Sequence, residues 1–534
     1  MGLECCSIFS YGLLVIIVMC FVNKFKEKKR KDAVKQASCE RQFKVCVIGA
    51  GFSGIGTGHV LNDMGIDYEI FEKSGDIGGT WYDNVYPGVG CDVQSHLYSF
   101  SQFLNPTWSE SFSEGPEILE YIQKLGEPIR PKITFNTAVV QAVWNENLSK
   151  WAVTLSSGRV LQADVIITGT GLLHKPSTPK FSGAELFEGT AFHTNQWRKD
   201  VSLSGKRVGI IGTGASAVQA VPRIADMGVE SLTVFQRTPT WCAPRFNFQF
   251  RGAVKFLFKY IPGLQMLYRW YLFWTYEIRF FIMFIMPSKE IPIVGWLHEK
   301  LQNYVHKLLK RHVRKVVKDP AVAEKLTPSY PMGCKRVTPS DSYLQSFNKE
   351  NVHLVTDSIK EFTNKGIKTM DEKFHDLDVI VYATGFDLLG SVNAFEVSGV
   401  DGKTLTEDHS DEPRAYYGVS HHLCPNYFML GGPGIVLGHN SVLFIGECQM
   451  TYLRRGIEEL LLRGARSVCL KESAMDSYQE WSRNKRKNKV FDDLKFCTSW
   501  YRNSRGVNWT FWPTNLISFW WHTSTFDSEN YNFA

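Results

Sequence analysis

The chain has 534 residues, 44% apolar and 21% charged, with 43 glycines and 21 prolines. That is ordinary globular usage over roughly three to four domain-sized units, and it excludes a disordered, collagenous or many-spanning membrane protein. The formal charge of +7 is concentrated: Lys24 to Lys31 alone carries +5, and a nearly neutral remainder excludes a nucleic-acid partner, whose recognition surface would itself be basic.

In chain order, Cys5 to Val22 comes first, 18 residues without a charge. As a helix it would extend about 27 Å, the thickness of a thin bilayer. The Lys-rich flank then sets the orientation by the positive-inside rule. A cleaved signal peptide would need a basic start and a small-residue cleavage site, and neither is present. Residues 1–23 are therefore read as a transmembrane anchor and 24–42 as a basic linker. This makes a single-pass membrane protein, of the endoplasmic reticulum, with its body in the cytosol. Twelve scattered cysteines with no C-x-x-C read as free thiols of a reducing compartment.

Phe43 to Ile48 has the apolar, β-branched character of a buried strand. It runs into Gly49-Ala50-Gly51-Phe52-Ser53-Gly54, then a helix to about Met64, then the strand Asp67 to Phe71, which stops at Glu72. Strand, G-x-G-x-x-G, helix, strand, acid is a dinucleotide-binding pattern: Gly49, Gly51 and Gly54 let the backbone approach a pyrophosphate, and Glu72 accepts from a ribose hydroxyl. The pattern repeats at Arg207 to Ile211, Gly212-Thr213-Gly214-Ala215-Ser216-Ala217 and Ser231 to Phe235, with Gly212, Gly214 and Ser216 at the turn. The answering strand now ends in Gln236-Arg237-Thr238. A guanidinium in place of the acid suits a 2′-phosphate, so the second site is of NADP type. One site of each kind implies a flavin nucleotide and NADPH, hence a flavoprotein oxidoreductase.

Gly252 to about Lys318 is an aromatic-rich, helix-patterned insertion. Met266 to Met286 is apolar but interrupted by Arg269, Glu277 and Arg279, charges too costly for lipid. It is therefore not a second span; it is an internal helical subdomain or an interfacial element, and the first is the favoured reading.

Four further stretches carry a resemblance. They are Gly78-Gly79-Thr80-Trp81 through Tyr86-Pro87-Gly88 to Asp92; Phe187-x-Gly189-x-x-x-His193-x-x-x-Trp197; Ala383-Thr384-Gly385-Phe386-Asp387; and Gly431-Gly432-Pro433 followed by Gly438-His439-Asn440-Ser441. From Phe43 to about Trp521 the chain resembles the class B flavoprotein monooxygenases, and within them the Baeyer–Villiger branch. The segment Ser499-Trp500-Tyr501-Arg502-Asn503 to Trp512-Pro513 is similar to that branch's C-terminal wrap. Arg198 follows Trp197 where the branch has Pro or Asp.

The resemblance implies an α/β fold of two Rossmann-like domains, for FAD and NADPH, with a helical insertion. It divides the chain into FAD-binding parts 43–172 and 387–534, NADPH-binding parts 173–245 and 331–386, and the insertion 246–330. It implies Arg336 as the catalytic residue with Asp92 holding it beside the flavin, and Lys335 joining Arg237 on the 2′-phosphate. Gly79, Thr80, Trp81, Thr238 and Asn440 are implied as further cofactor contacts. Phe187, Gly189, His193 and Trp197 set the relative orientation of the domains. The implied reaction inserts one atom of dioxygen into a lipophilic ketone through a flavin peroxide, giving an ester or lactone. A fixed guanidinium suits it by keeping the peroxide anionic.

The alternative activity on the same fold is oxygenation of soft nitrogen or sulfur. A disulfide reductase would need paired cysteines, and a non-catalytic nucleotide-binding membrane protein would be expected to lack Arg336 or Asp92. No short metal-binding motif is present, and His421-His422 is a poor chelate.

Overall fold

The computed structural model describes residues 27–284, 292–410, 412–487, 489–490, 501–502 and 505–534. The expected anchor lies outside them. Among the described residues no helix is long and apolar enough to cross a membrane.

Two five-stranded parallel sheets organise the chain. The first runs Tyr427–Met429, Val165–Thr168, Lys44–Ile48, Asp67–Phe71, Ile133–Thr134. The second runs Val352–Val355, Ser231–Phe235, Arg207–Ile211, Val379–Tyr382, Thr190–His193. The inner strands Val165–Thr168 and Val379–Tyr382, each beside the middle strand of its sheet, are buried at every position. That is why they read as unbroken apolar runs: helices cover both faces of a parallel sheet. Strand Tyr427–Met429 completes the first sheet from beyond the second, so the two nucleotide sites share one continuous body.

The C-terminus is tied back to the first domain. Val468–Leu470 pairs antiparallel with Tyr531–Phe533, and helix Leu516–Thr523 packs on helix Val442–Leu462. The basic linker is more than a solvated spacer. It is helical over 27–40, with Val34 buried, and Arg30 pairs with Glu458 at 2.7 Å while Lys31 pairs with Asp63 at 2.9 Å.

The insertion bridges both domains. Its base is closed by the parallel pair Cys242–Ala243 with Thr338–Pro339. Helix Leu264–Phe284 buries Leu272, Phe273 and Tyr276 in the core of the first domain. Val313, near the end of helix Pro292–Val316, enters the core of the second.

Two of the three charges that interrupt the apolar run, Arg269 and Glu277, are buried, and Arg279 is exposed. Arg269 donates to the carbonyls of His96, Leu97 and Ser99 at 3.1, 3.0 and 2.6 Å. Burial disfavours its charge, and Glu447 at 3.3 Å opposes that effect. Glu277 accepts from Asn440 Nδ2 at 2.8 Å and from the Leu516 N–H at 3.1 Å, and meets His439 Nε2 at 3.1 Å. An ionisable group in the interior survives when donors or acceptors replace its water, and both residues have them.

Candidate active site

At the first fingerprint, Gly49, Gly51 and Gly54 form the turn between Lys44–Ile48 and helix Phe52–Met64. A Cβ on Gly54 would lie 1.8 Å from the Gly49 carbonyl oxygen, so only glycine lets the helix start this close to the strand. Gly51 caps that helix without any side-chain acceptor, and its first turn holds no acid. The free N–H groups and the helix dipole therefore present a positive end to a pyrophosphate. Glu72, buried at the end of Asp67–Phe71, accepts from the Ala50 N–H at 2.6 Å and the Ser74 N–H at 2.8 Å. Gly79 packs on Gly51. Thr80 opens the short helix Thr80–Asp83, and the buried Trp81 donates its indole N–H to Tyr98 Oη at 3.2 Å.

At the second fingerprint, Gly212 and Gly214 lead into helix Ala215–Ala225, again uncapped by a side chain, with Ser216 in its first turn. Thr213 Oγ1 donates to the Thr238 carbonyl at 2.7 Å. Arg237 is exposed at the end of Ser231–Phe235, and Lys335 lies close enough for the two cations to repel. Burial first, and then Arg237, lower the Lys335 pKa from its ordinary value. No acid among the described residues forms an ion pair with either, so a dianionic phosphate would relieve both.

Between the two sites, Arg336 Nη2 donates to Asp92 Oδ1 at 2.5 Å across 244 residues of chain. Burial opposes the Arg336 charge, but Asp92 and then Tyr501 outweigh it, and its pKa is raised. The phenol of Tyr501 is itself pushed up to about 12 by burial, which keeps it protonated beside Arg336. Tyr501 was legible only as part of the wrap motif, not as a neighbour of the catalytic pair.

The Tyr86-Pro87-Gly88 stretch is a clamp between domains. Tyr86 donates to Gln219 Oε1 at 2.7 Å, and Gln219 Nε2 donates to the Gly90 carbonyl at 2.8 Å. Gly88, at φ +80°, brings its backbone so close to helix Ala215–Ala225 that a Cβ would sit 2.5 Å from the Gln219 carbonyl. Nothing in the spacing of Gln219 announces this role.

The Phe187-to-Trp197 motif is structural. His193 is buried at the end of the second sheet, its Nδ1 accepting from the Asn195 N–H at 3.1 Å and its ring edge-on to Phe386 at 5.8 Å. Burial lowers its pKa, so the ring is neutral. Asn195 reaches Asn84 of the first domain at 3.3 Å. Trp197 packs edge-on to Phe192, and Phe187 folds over Gly189. Arg198 is exposed and, among the described residues, forms its one ion pair with Asp200, at 2.5 Å.

Asn440 is buried with its side chain committed: the amide nitrogen to Glu277 and the oxygen to the Ser441 N–H at 2.7 Å. Among the described cysteines, Cys39, Cys46, Cys91, Cys242, Cys424, Cys448 and Cys469 are free thiols, whereas Cys334, beside Lys335, is disulfide-bonded. The reading of every cysteine as a free thiol fails there, because sequence spacing does not reveal a pairing made by the fold.

Two unlike dinucleotide cradles with an arginine–carboxylate pair between them define a flavoprotein oxidoreductase. A family model for flavin-binding monooxygenase-like proteins (FMO-like) matches residues 42–250. A Baeyer–Villiger monooxygenase of Pseudomonas aeruginosa is 36% identical over 496 residues, 92% of each chain. Among solved structures, a steroid monooxygenase bound to NADP has a TM-score of 0.79 at 29% identity, covering 92% of this chain and 99% of that one. A complex of OTEMO with FAD and NADP has the same TM-score and coverage at 28% identity. The chain belongs to the Baeyer–Villiger monooxygenases, a branch of the flavin-binding monooxygenases.

Proposed function

We propose that the chain is an NADPH-dependent flavin monooxygenase that converts a lipophilic ketone to an ester or lactone. Dioxygen supplies the inserted atom, its second atom leaves as water, and NADPH is oxidised to NADP+. The observation that carries this reading is the Arg336–Asp92 pair. It joins the loop that follows the short helix Thr80–Asp83 to the segment that bears Lys335, so one guanidinium ties the first nucleotide domain to the second.

Bound FAD, reduced by NADPH, supplies the activated oxygen. Gly49, Gly51, Gly54 and Glu72 would hold its pyrophosphate and ribose, with Gly79 packed against Gly51 of the same turn. Arg237 and Lys335 would hold the NADPH 2′-phosphate. Arg336 contributes a permanent positive charge. Asp92 fixes its direction, so the charge is already oriented toward negative charge developing on a carbonyl oxygen and needs no reorganisation.

The test is product analysis. The purified protein, given NADPH and a ketone in air, should yield ester or lactone with one labelled atom from 18O2. Arg336→Ala should lower ketone oxidation about 10²–10³-fold, the usual effect of losing one preorganised partner. If Arg336→Ala instead spares turnover and the preferred substrates are sulfides or amines, the activity is soft-heteroatom oxygenation.

We also propose that residues 1–23 anchor the enzyme in the endoplasmic reticulum membrane with the body cytosolic. The support is the uncharged run Cys5 to Val22 followed at once by Lys24 to Lys31. Alkaline carbonate should leave the full chain in the membrane pellet; its release would refute the anchor.

A further inference from the structure

Helix Leu264–Phe284 is turned inside out. Two of its three charged residues, Arg269 and Glu277, are 5% and 2% exposed, whereas Trp270 and Trp274 are 48% and 51% exposed; only Arg279 among its charges faces out. Leu267, Trp270, Trp274, Ile278 and Phe281 recur every three or four positions, so the exposed side is one continuous apolar stripe. The next helix, Pro292–Val316, adds a second exposed apolar stripe of Leu297, Leu301, Tyr304 and Leu308, with Trp296 beside it at 60%. The two helices touch at this surface, where His298 Nε2 meets the Phe281 carbonyl at 2.6 Å and Gln302 Nε2 donates to the Ile282 carbonyl at 3.1 Å. Two adjoining aromatic stripes exceed the scattered exposed apolar residues of an ordinary surface.

Charge decides what covers them. Pro292–Val316 carries Lys300, Lys307, Lys310, Arg311, Arg314 and Lys315 against Glu299 alone, and all six cations are exposed. A second copy docked on this face would bring the same positive charge against itself, because a twofold contact pairs a surface with itself. An anionic lipid surface is complementary. Trp and Tyr over an apolar stripe flanked by Lys and Arg is the composition that settles among headgroups.

We propose that helices Leu264–Phe284 and Pro292–Val316 form a docking face that lies in the headgroup layer of an anionic bilayer. The opposite face of the first helix reaches the site: Tyr276 Oη accepts from the Gln94 N–H at 3.3 Å, two residues from Asp92. One helix diameter, about 10–12 Å, therefore separates the lipid-facing stripe from the loop that holds the catalytic pair. A lipophilic ketone dissolved in the bilayer would arrive beside its site.

The test uses the full chain on phosphatidylcholine–phosphatidylserine vesicles containing phosphatidylcholine spin-labelled near the headgroup, with tryptophan fluorescence as readout. Trp270→Phe, Trp274→Phe and Trp296→Phe combined keep the apolar face but remove its fluorophores. The quenched part of the emission should fall by about half or more, since these indoles lie at headgroup depth. Lys307→Glu with Lys310→Glu should reduce quenching on the anionic vesicles to its level on phosphatidylcholine alone. The anchor segment is common to every chain compared. A triple-Phe chain that keeps its full quenched signal overturns the proposal. So does a dimer in detergent whose insertion tryptophans escape the spin label. Either result, with ketone turnover intact, leaves the enzymatic assignment standing.

Discussion

The two fingerprints share a plan and differ in how complete they are without a ligand. At the first, Glu72 already accepts from Ala50 and Ser74, and Gly79 packs onto the turn. At the second, Gly214 faces open space, and Arg237 and Lys335 stand as like charges that no described acid neutralises. A pre-formed cradle suits a resident group, since little order remains to be lost on binding. An uncompensated cation pair suits an anion that comes and goes, because binding relieves a repulsion that returns when it leaves.

The largest expected effect breaks the first cradle. Gly54→Ala drives a methyl group into the Gly49 carbonyl, so the strand-to-helix turn has to open. The purified protein should lose its flavin colour and with it all ketone oxidation. The same change at Gly214 meets no atom within 4 Å, and its φ of −75° suits alanine. Gly214→Ala should therefore keep its full flavin absorbance. Equal flavin loss in both chains would remove the distinction between the two sites.

Next in size is the cation pair. Lys335→Met removes one charge-assisted contact, about 1.5–3 kcal/mol, or roughly ten- to a hundredfold in the KM for NADPH. The KM for NADH, which has no 2′-phosphate, should stay in place. The pH dependence has a definite sign. Because burial and Arg237 lower its pKa, Lys335 loses its proton earlier than an ordinary lysine as pH rises. The KM for NADPH should therefore climb in the alkaline range, ahead of an ordinary lysine titration. Arg237→Ala removes the like charge and should move that climb to higher pH, though from a weaker starting affinity. A rise that does not shift with Arg237→Ala would put the titration on another group.

The difference in legibility follows the range of the interactions. Both fingerprints were readable because strand, turn, helix and strand are contiguous, and glycine has a local reason to be there. Glu72 and Arg237 were readable because they end those strands. Arg336 and Asp92 came only through the resemblance, since 244 residues separate them and no periodicity links them. Gln219 acts across domains and leaves no local mark, and Tyr501 is marked only by the wrap motif, which does not point to Arg336.

The insertion shows a different limit. Its alternation of aromatic and charged positions was visible, yet periodicity gives a face without saying which way it points. Arg269 and Glu277, read as interruptions, turned out to be the anchors that His96, Leu97, Ser99, Asn440 and Leu516 hold inside.

The smallest expected effect concerns the position where this chain departs from its branch. Arg198 follows Trp197, and the motif residues before it are committed: His193 to Asn195 and Phe386, Trp197 to Phe192. Among the described residues Arg198 itself pairs just with Asp200, two positions on and in solvent, and exposed pairs of this kind contribute little because water screens them and ordering the side chains costs entropy. The departure therefore lies outside the joint that the motif builds. Arg198→Ala should leave the melting temperature, flavin content and ester yield per NADPH unchanged within error. By contrast, Trp197→Ala opens the packing against Phe192 and should lower the ester yield per NADPH by letting the domains slip. If Arg198→Ala also lowers that yield, the residue after the tryptophan belongs to the joint, and the line between motif and surface has to be redrawn one position later.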